Sequence, residues 1–433
     1  MKTSFCNILL LFFCLLGISV KAQEPVVLSL DSAINYAIRH NKTLINSRYS
    51  VDKSSQKIKE AISSGLPQMN VTMDYTNYLG AEASIQFSEL APPTTFKFNP
   101  TSNLQATVSQ LLFNGDYYMG IQLSKLAKKL TEQSYLKDES DVKEQTIQAY
   151  YIVLANERIL NIIKENKANA QTIYEKTTNL ANAGILEETD AKKLSIMVTT
   201  VDNQIKSTER QLELGYNLLR LQLGLDPGQS IKLASTLDEI SQHYILHISP
   251  ADTFNIENNL DYKLICMQGR LAKKNIDFQK ANFLPTLAAY YSYTEKIQKS
   301  IFDLSPKNVL GLTLKIPVFS GGQRYSQLKQ AKIDYDISEN TRKLVSQQLT
   351  IQERQMRYNY QNLFEQYLNQ KANREIAKEV LEKMNLKYQQ GVVSTLELTS
   401  ANSEYLNAET SFTSVMLQLL NAELALRKTN NKF

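Results

Sequence analysis

Two histidines, His243 and His247, stand four positions apart. At this spacing, two imidazoles share one face of a helix and can bind a metal ion. The residues between them, Tyr244 to Leu246, are more typical of an irregular connector, and no third ligand is evident. Cys266 is the one cysteine outside a predicted export signal, and we interpret it as a small buried apolar residue. We therefore expect no bound metal and no cofactor.

Catalytic motifs are also missing from the sequence. It contains no phosphate-binding glycine loop, no nucleophile elbow and no zinc-type cysteine cluster, so an enzyme is not expected. The formal charge of the 433 residues is +5 with no basic block, which argues against nucleic acid as a partner. Two acidic residues share one spacing: Asp190 and Glu397 follow Gly184 and Gly391 by six positions each.

These two glycines belong to a duplication that runs through the chain. Leu66-Pro67 returns as Leu284-Pro285, and Phe113-Asn114-Gly115 returns as Phe319-Ser320-Gly321. The distance from the second motif to the glycine turn is 69 residues in one copy (115 to 184) and 70 in the other (321 to 391). The distance between the first two motifs differs by 12 residues (67 to 115, against 285 to 321). A stretch of fixed length indicates a rigid rod, and a variable one indicates a surface loop.

The stretches of fixed length have a helical period. Apolar residues recur in heptads through about 116–182 and 322–389, and they continue beyond the glycines to about 224 and 427. At 1.5 Å per residue, each first helix would be about 100 Å long, which indicates a coiled coil. Shorter helical segments, about 31–64 and 252–282, precede the Leu-Pro pairs.

After each Leu-Pro pair the period changes to two, which predicts two hairpins at about 68–114 and 286–319. The four strands have the length of a tilted strand that crosses a bilayer, and their loops are about 83–100 and 298–307. A soluble sheet with one buried face would show the same alternation. In the membrane interpretation, one face lines water, and aromatic residues replace tryptophan at the lipid interface. The water-facing set is Thr72, Asp74, Gln105, Thr107, Thr313 and Lys315; the aromatic set is Tyr75, Tyr78, Tyr290, Tyr291, Tyr293, Phe113 and Phe319.

Four strands cannot close a barrel alone, and an open sheet edge in lipid leaves backbone groups unpaired. If the strands lie in lipid, several chains must share one barrel, and three chains supply twelve strands. The predicted fold class is mainly α with a membrane β-barrel portion. It combines long coiled-coil helices with four strands per chain, which close a twelve-stranded barrel if three chains share it.

Three further features bear on the family of this chain: the segment from Leu28 to Asn41, the motif Phe319-Ser320-Gly321-Gly322, and the duplicated Leu-Pro pairs and glycine turns. In these features the chain resembles the TolC family of outer-membrane efflux proteins. The resemblance implies a homotrimer whose twelve-stranded barrel lies in the cell outer membrane and whose long coiled-coil helical tunnel extends into the periplasm. It also implies a periplasmic adaptor and an inner-membrane pump as partners.

These observations divide the chain into five parts. Residues 1–22 are predicted to be a signal peptide, because a lysine precedes an apolar run and a small-residue cleavage site. Residues 23–224 and 251–428 are the two structural repeats. Residues 225–250 are a connector, and 429–433 are a C-terminal tail.

The resemblance also implies roles for the residues near the glycine turns. In the family, acidic rings and a link between helices close the tunnel at its periplasmic tip. Glu397 and Asp190 are then candidates for the constriction, and Tyr388 and Thr189 for the link between helices. Gly184 and Gly391 mark the turns that would contact the adaptor. Each assignment has an ordinary structural alternative: Glu397 completes a capping-box pattern with Ser394, Asp190 favours a helix N-terminus, and Tyr388 fits a heptad core.

Two departures concern the closed state. Val393 and Ser400 stand where well-known members of the family have an arginine of the link and a second acidic ring.

The function predicted from the sequence is an outer-membrane channel of a tripartite efflux or type I secretion system, a passive duct opened by the adaptor. The alternative is an exported soluble coiled-coil tether without a channel. A surface-binding role for the 83–100 loop would be compatible with a channel.

Overall fold

The computed structural model describes residues 26–86, 92–244, 254–298 and 305–433. The predicted signal peptide and His247 lie outside these residues. Within them the chain forms eight α-helices and eight β-strands. The helices are α1 (Leu30–His40), α2 (Lys42–Ser63), α3 (Gly115–Asn182), α4 (Glu188–Leu223), α5 (Leu237–Tyr244), α6 (Leu260–Ala281), α7 (Gln323–Gln389) and α8 (Thr395–Thr429). The strands are β1 (Val26–Leu28), β2 (Gln68–Thr76), β3 (Glu82–Ile85), β4 (Thr94–Lys97), β5 (Thr101–Asn114), β6 (Ile231–Leu233), β7 (Thr286–Gln298) and β8 (Asn308–Lys315).

The first helical segment differs from its prediction. The sequence predicts one helix over about 31–64, but Asn41 adopts an extended conformation (φ −60°, ψ 127°) and separates α1 from α2. The side-chain oxygen of Asn41 accepts hydrogen bonds from the first turn of α2, so the residue caps a new helix. The corresponding helix of the second repeat starts later than predicted, at Leu260, because a 3-10 turn at Ile256–Asn258 precedes it.

Two very long helices, α3 and α7, dominate the molecule with 68 and 67 residues. Asn114 starts α3, because its side chain accepts a hydrogen bond from the backbone N–H of Tyr117. Each long helix turns back into a shorter partner, and α3 packs along α4 as α7 packs along α8. The long coiled-coil helices of the predicted fold class are confirmed.

The four long strands form one antiparallel sheet with the order β2-β5-β7-β8. The pairs β2–β5 and β7–β8 are the two hairpins, and β5–β7 joins the two repeats. Strands β2 and β8 are therefore the edges. Because neighbouring strands alternate in direction, the two edge strands run in opposite directions.

One face of this sheet is apolar and exposed. The register aligns one residue of each strand across it, in the row Met69–Val108–Tyr291–Leu310. Met69 is 69% exposed and Leu310 is 81% exposed, although both are large apolar side chains. Further exposed apolar residues on this face are Val71, Met73, Tyr75, Leu104, Tyr293, Leu312 and Leu314. A single chain therefore leaves a broad apolar surface uncovered.

The opposite face is polar. Ser292 is buried there, and it bonds to Gln105 Nε2 at 2.8 Å and to the Thr107 hydroxyl at 3.1 Å. Tyr290 lies on this face, since strand residues alternate and its ring covers Gly311. The assignment of Tyr290 to the lipid-facing aromatic set is thus wrong, whereas Tyr291 and Tyr293 lie on the apolar face.

Several smaller elements were not predicted. Strands β3 and β4 form a separate hairpin within the first loop. The connector between the repeats contains β6 and α5, and β6 pairs in parallel with β1 near the start of the described chain.

The largest core lies where α3, α4 and α8 pass this connector. Tyr150 and Tyr151 of α3 are fully buried, and the Tyr150 hydroxyl donates to the carbonyl of Leu28 at 3.1 Å. Leu219 of α4 and Leu419 of α8 are also fully buried there. Among the described residues, we find no helix with a sufficiently long apolar stretch to span a bilayer.

Candidate functional site

The two glycine turns close the long helices in the same way. Gly184 and Gly391 adopt φ of +75° and +72°. The next residue in each turn donates its N–H back to the helix, Ile185 to Leu180 at 2.9 Å and Val392 to Lys387 at 3.0 Å. Positive φ at the residue that ends a helix favours glycine, which explains the residue type in both copies.

Tyr388 joins three helices beside these turns. Its hydroxyl lies 3.0 Å from the Thr177 hydroxyl of α3 and 3.2 Å from the Thr395 hydroxyl of α8. Thr177 and Thr395 are almost completely buried. The arrangement connects the end of α7 to the other repeat and to its own partner helix. Thr395 lies in the helix beyond the turn and Thr177 lies in the other repeat, so no local sequence pattern places either residue beside Tyr388.

Glu397 forms a complete capping box. Its carboxylate accepts from the Ser394 N–H at 2.7 Å and from the Ser394 hydroxyl at 2.9 Å, and its own N–H donates back to Ser394 Oγ at 3.3 Å. These hydrogen bonds, chiefly that from the backbone N–H, hold the pKa of Glu397 below its ordinary value. The side chain is exposed and ionised near neutral pH. Capping accounts for the conformation of this side chain.

Asp190 and Thr189 occupy the start of α4. Asp190 is half-buried, and its carboxylate oxygen Oδ1 lies 3.5 Å from Nζ of Lys193 on the next turn. The Thr189 hydroxyl donates to Glu187 Oε2 at 2.9 Å, which is a contact within its own turn. The structure thus brings Tyr388, but not Thr189, into a hydrogen bond between helices.

A cleft of roughly 530 Å³ separates the two turns. Its walls combine apolar and polar side chains, and Val393 contributes to the apolar part. Ser400 lies outside this cleft, exposed on α8. The other lining residues are Ile173, Lys176, Thr177, Leu180, Ile185, Leu186, Asp190, Tyr388, Gln389, Gln390, Gly391, Ser394 and Thr395.

Farther from the turns, polar side chains join α3 of the first repeat to α8 of the second. These contacts bring together residues more than 230 positions apart, which is why sequence patterns did not reveal them. Arg158 takes part in one of these contacts, and its guanidinium group lies over the Phe412 ring. The guanidinium group of Arg374 lies over the same ring. The links are Asn166 to Asn402 at 2.5 Å, Arg158 to Glu409 at 3.1 Å, and Lys428 to Glu144 at 2.6 Å.

Among the described residues, we find no group of three or more His, Cys, Asp or Glu side chains placed to hold a metal ion. His243 and Tyr244 end α5, so the helix extends to the first residue of the segment expected to be irregular, whereas Ile245, Leu246 and His247 lie outside the described residues.

Comparison with known sequences places these features in a family. The family model described as "Outer membrane efflux protein" matches residues 33–225 and 256–431. The outer membrane protein TolC of Salmonella enteritidis is 26% identical over 313 residues, which are 68% of this chain and 60% of that protein. TolC of Escherichia coli (strain K12) is 23% identical over the same shares of both chains, and TolC of Vibrio cholerae is 22% identical over 71% of this chain and 68% of its own. The matches thus span about 60% of the first two relatives.

Solved structures share the fold. The CmeC outer membrane channel of Campylobacter jejuni superposes with a TM-score of 0.71 at 16% identity and covers 93% of this chain and 86% of its own. CusC gives a TM-score of 0.73 at 17% identity, with 92% and 91% covered. The open state of the Neisseria gonorrhoeae MtrE outer membrane channel gives 0.66 at 16% identity, with 92% and 88% covered.

Proposed function

The chain belongs to the outer membrane efflux protein family, and from this premise we propose that it forms the outer-membrane channel of a tripartite efflux or type I secretion system. In this role it is a passive duct. A periplasmic adaptor opens it, and an inner-membrane pump supplies the energy.

The observation that carries the proposal is the two-faced sheet with open edges. Lipid favours the apolar face, where Leu310 and Leu312 are 81% and 71% exposed, and water favours the face of Ser292 and Gln105. The edge strands β2 and β8 run in opposite directions, so β8 of one copy can pair antiparallel with β2 of the next. Three copies then close twelve strands with every backbone group paired, as lipid requires.

The helical part continues this duct. Strands β5 and β8 lead into α3 and α7, whose lengths differ by only one residue. Three copies would supply six such helices around one axis, with the glycine turns at the far end. We propose this end as the periplasmic tip, where Gly184 and Gly391 contact the adaptor.

At this tip we propose that Glu397 and Asp190 form rings of negative charge that narrow the opening and select ions by charge, since carboxylates in a narrow opening favour cations. Tyr388 is proposed as the link that holds the tip closed, supported by its bonds to Thr177 and Thr395. Thr189 is the weaker candidate, because its hydroxyl bonds to Glu187 in the same turn.

A pair of neighbouring substitutions on β8 tests the membrane assignment. Leu312→Lys puts a charge on the apolar face, and Thr313→Lys puts the same charge on the polar face, which already carries Lys315. A lysine facing lipid near the bilayer centre costs about 2–4 kcal/mol, and each trimer carries three. We expect Leu312→Lys to remove the oligomer from outer-membrane fractions, and Thr313→Lys to leave it there.

The measurement is the amount of oligomer in washed outer membranes, read by electrophoresis of unheated and heated samples. If both variants accumulate equally as proteins that stay in solution without detergent, the apolar face does not meet lipid. The tether interpretation would then replace the channel.

A further inference from the structure

Two buried asparagines hold the same position in the two repeats. Asn41 directly precedes α2 and Asn259 directly precedes α6, and both are at most 5% exposed. The side-chain oxygen of Asn41 accepts from the N–H groups of residues 43 and 44 at 2.9 and 3.3 Å. That of Asn259 accepts from residues 261 and 262 at 3.0 and 3.1 Å. Each oxygen therefore caps the helix that leads into a strand hairpin.

The amide nitrogen of each asparagine reaches a different helix. Asn41 Nδ2 donates to the carbonyl of Gln222 at 2.8 Å, in the last turn of α4. Asn259 Nδ2 donates to the carbonyl of Thr429 at 3.0 Å, the last residue of α8. The partners are 181 and 170 residues distant in sequence, so both contacts are tertiary.

The two acceptor carbonyls are equivalent. Each lies two residues before a residue with positive φ, Gly224 (+70°) after α4 and Asn431 (+54°) after α8. In both helices the turn itself satisfies the two preceding carbonyls: Arg220 and Leu221 in one, Arg427 and Lys428 in the other. The asparagine amide satisfies the next carbonyl, which a helix end otherwise leaves open.

Each asparagine thus joins the C-terminal end of one helix to the N-terminal end of another. At the joint of Asn41 the two helix ends are in close contact, since a Cβ added to Gly224 would lie 2.3 Å from the carbonyl oxygen of His40. The partial charges of the two helix ends are opposite, which favours this arrangement. Each repeat therefore contains one uninterrupted helix, α3 or α7, beside one helix assembled from two pieces.

We propose that Asn41 and Asn259 are positioning residues for the gate: they join the tip helices α4 and α8 to α2 and α6 and thereby hold the tip closed. This inference rests on the proposed function as a channel with a closable tip. The joints are the places where α4 and α8 tilt when the tip opens, because α3 and α7 are continuous. Movement of the Gly184 and Gly391 turns is passed through these joints towards the strands.

The test is the double variant Asn41→Asp/Asn259→Asp of the full chain, purified in detergent. Aspartate keeps the capping oxygen but replaces the donor by an acceptor that faces a carbonyl. We expect hydrogen–deuterium exchange in the last turns of α4 and α8 to rise about fivefold, as the loss of one buried hydrogen bond implies, with α3 and α7 unchanged. In planar bilayers, we expect the resting conductance to rise several-fold.

The matched control is Asn255→Asp. Asn255 is an exposed asparagine that caps the neighbouring 3-10 turn by accepting from the Glu257 N–H at 3.0 Å. The proposal is overturned if the double variant exchanges like this control, or if its exchange rises while its resting conductance does not. If the double variant fails to assemble, the single variants are measured. Asn41→Asp must then raise hydrogen–deuterium exchange only in the last turn of α4, and Asn259→Asp only in the last turn of α8.

These readouts separate the two proposals. Unmodified protein that forms no pore in a bilayer contradicts the channel, whereas the exchange measurement still tests the joints.

Discussion

Glu423 is a carboxyl group buried in α8. It is 2% exposed, and its Oε2 has no hydrogen-bond partner among the described residues. Arg427 Nε lies 3.7 Å from the other oxygen. Burial raises the pKa of Glu423 to about 7, and the opposing charge of Arg427 only partly offsets it.

This raised pKa predicts a pH-dependent stability. Between the ordinary value of 4.5 and about 7, the folded state binds the proton that the unfolded state has lost. The free energy of unfolding therefore falls as pH rises through this window. Below the window both states bind the proton, and Glu423 no longer makes stability depend on pH. We expect Glu423→Gln to raise the free energy of unfolding at pH 8 by on the order of 2–3 kcal/mol, and to have little effect at pH 4. Heat denaturation at both pH values measures this, with exposed Glu404→Gln of the same helix as control. An equal gain at both pH values would contradict the assignment.

The charge of Glu397 can be separated from its capping role. Glutamine can replace glutamate in a capping box, so Glu397→Gln removes the charge and keeps the cap, whereas Glu397→Ala removes both. If three copies form a ring, both variants raise the single-channel conductance or remove block by multivalent cations. Recordings in planar bilayers measure this. A conductance and a block that change in neither variant would confine Glu397 to capping Ser394.

At the scale of elements, the end of α4 depends on a glycine for two reasons. Gly224 has φ +70° and lies against the backbone of His40, whereas Gly391 has φ +72° with no neighbour within 4 Å of an added Cβ. Alanine pays about 1–2 kcal/mol for the left-handed conformation at either position. Only Gly224→Ala must also push two helix ends apart. We expect the heat denaturation midpoint of Gly224→Ala to fall clearly below that of Gly391→Ala. Equal midpoints would contradict this, because they would mean that the two helix ends separate without loss of stability.

The elements also show what a sequence can and cannot predict. The heptads of α3 and α7, the period-two strands and the glycine turns are local patterns, so they predicted the helices and the sheet. The break between α1 and α2 at Asn41 was not predicted. Unlike proline, asparagine has a backbone N–H and does not fix φ, so it does not by itself end a helix. Tyr388 was identified through the family resemblance at its position near Gly391, but its partner Thr177 belongs to the other repeat, and only the folded chain brings them together.

At the scale of the whole molecule, the edges of the sheet predict an oligomer. We expect protein extracted in mild detergent to migrate as a trimer that heat converts to monomer, because backbone pairing across three seams is cooperative. Electrophoresis with and without heating, together with sedimentation, measures this. A monomer that stays in solution without detergent would contradict the shared barrel.

The polar face of the sheet has a consequence for how cargo is sorted. Asn70, Thr72, Gln105, Thr107, Ser292, Thr294 and Thr313 carry hydroxyl and amide groups, with Asp74 and Lys296 near one end of this face and Lys315 near the other. A duct lined in this way neither attracts nor repels an ion strongly. If three copies form the proposed channel, solutes would therefore be distinguished by charge mainly in the helical part and not between the strands.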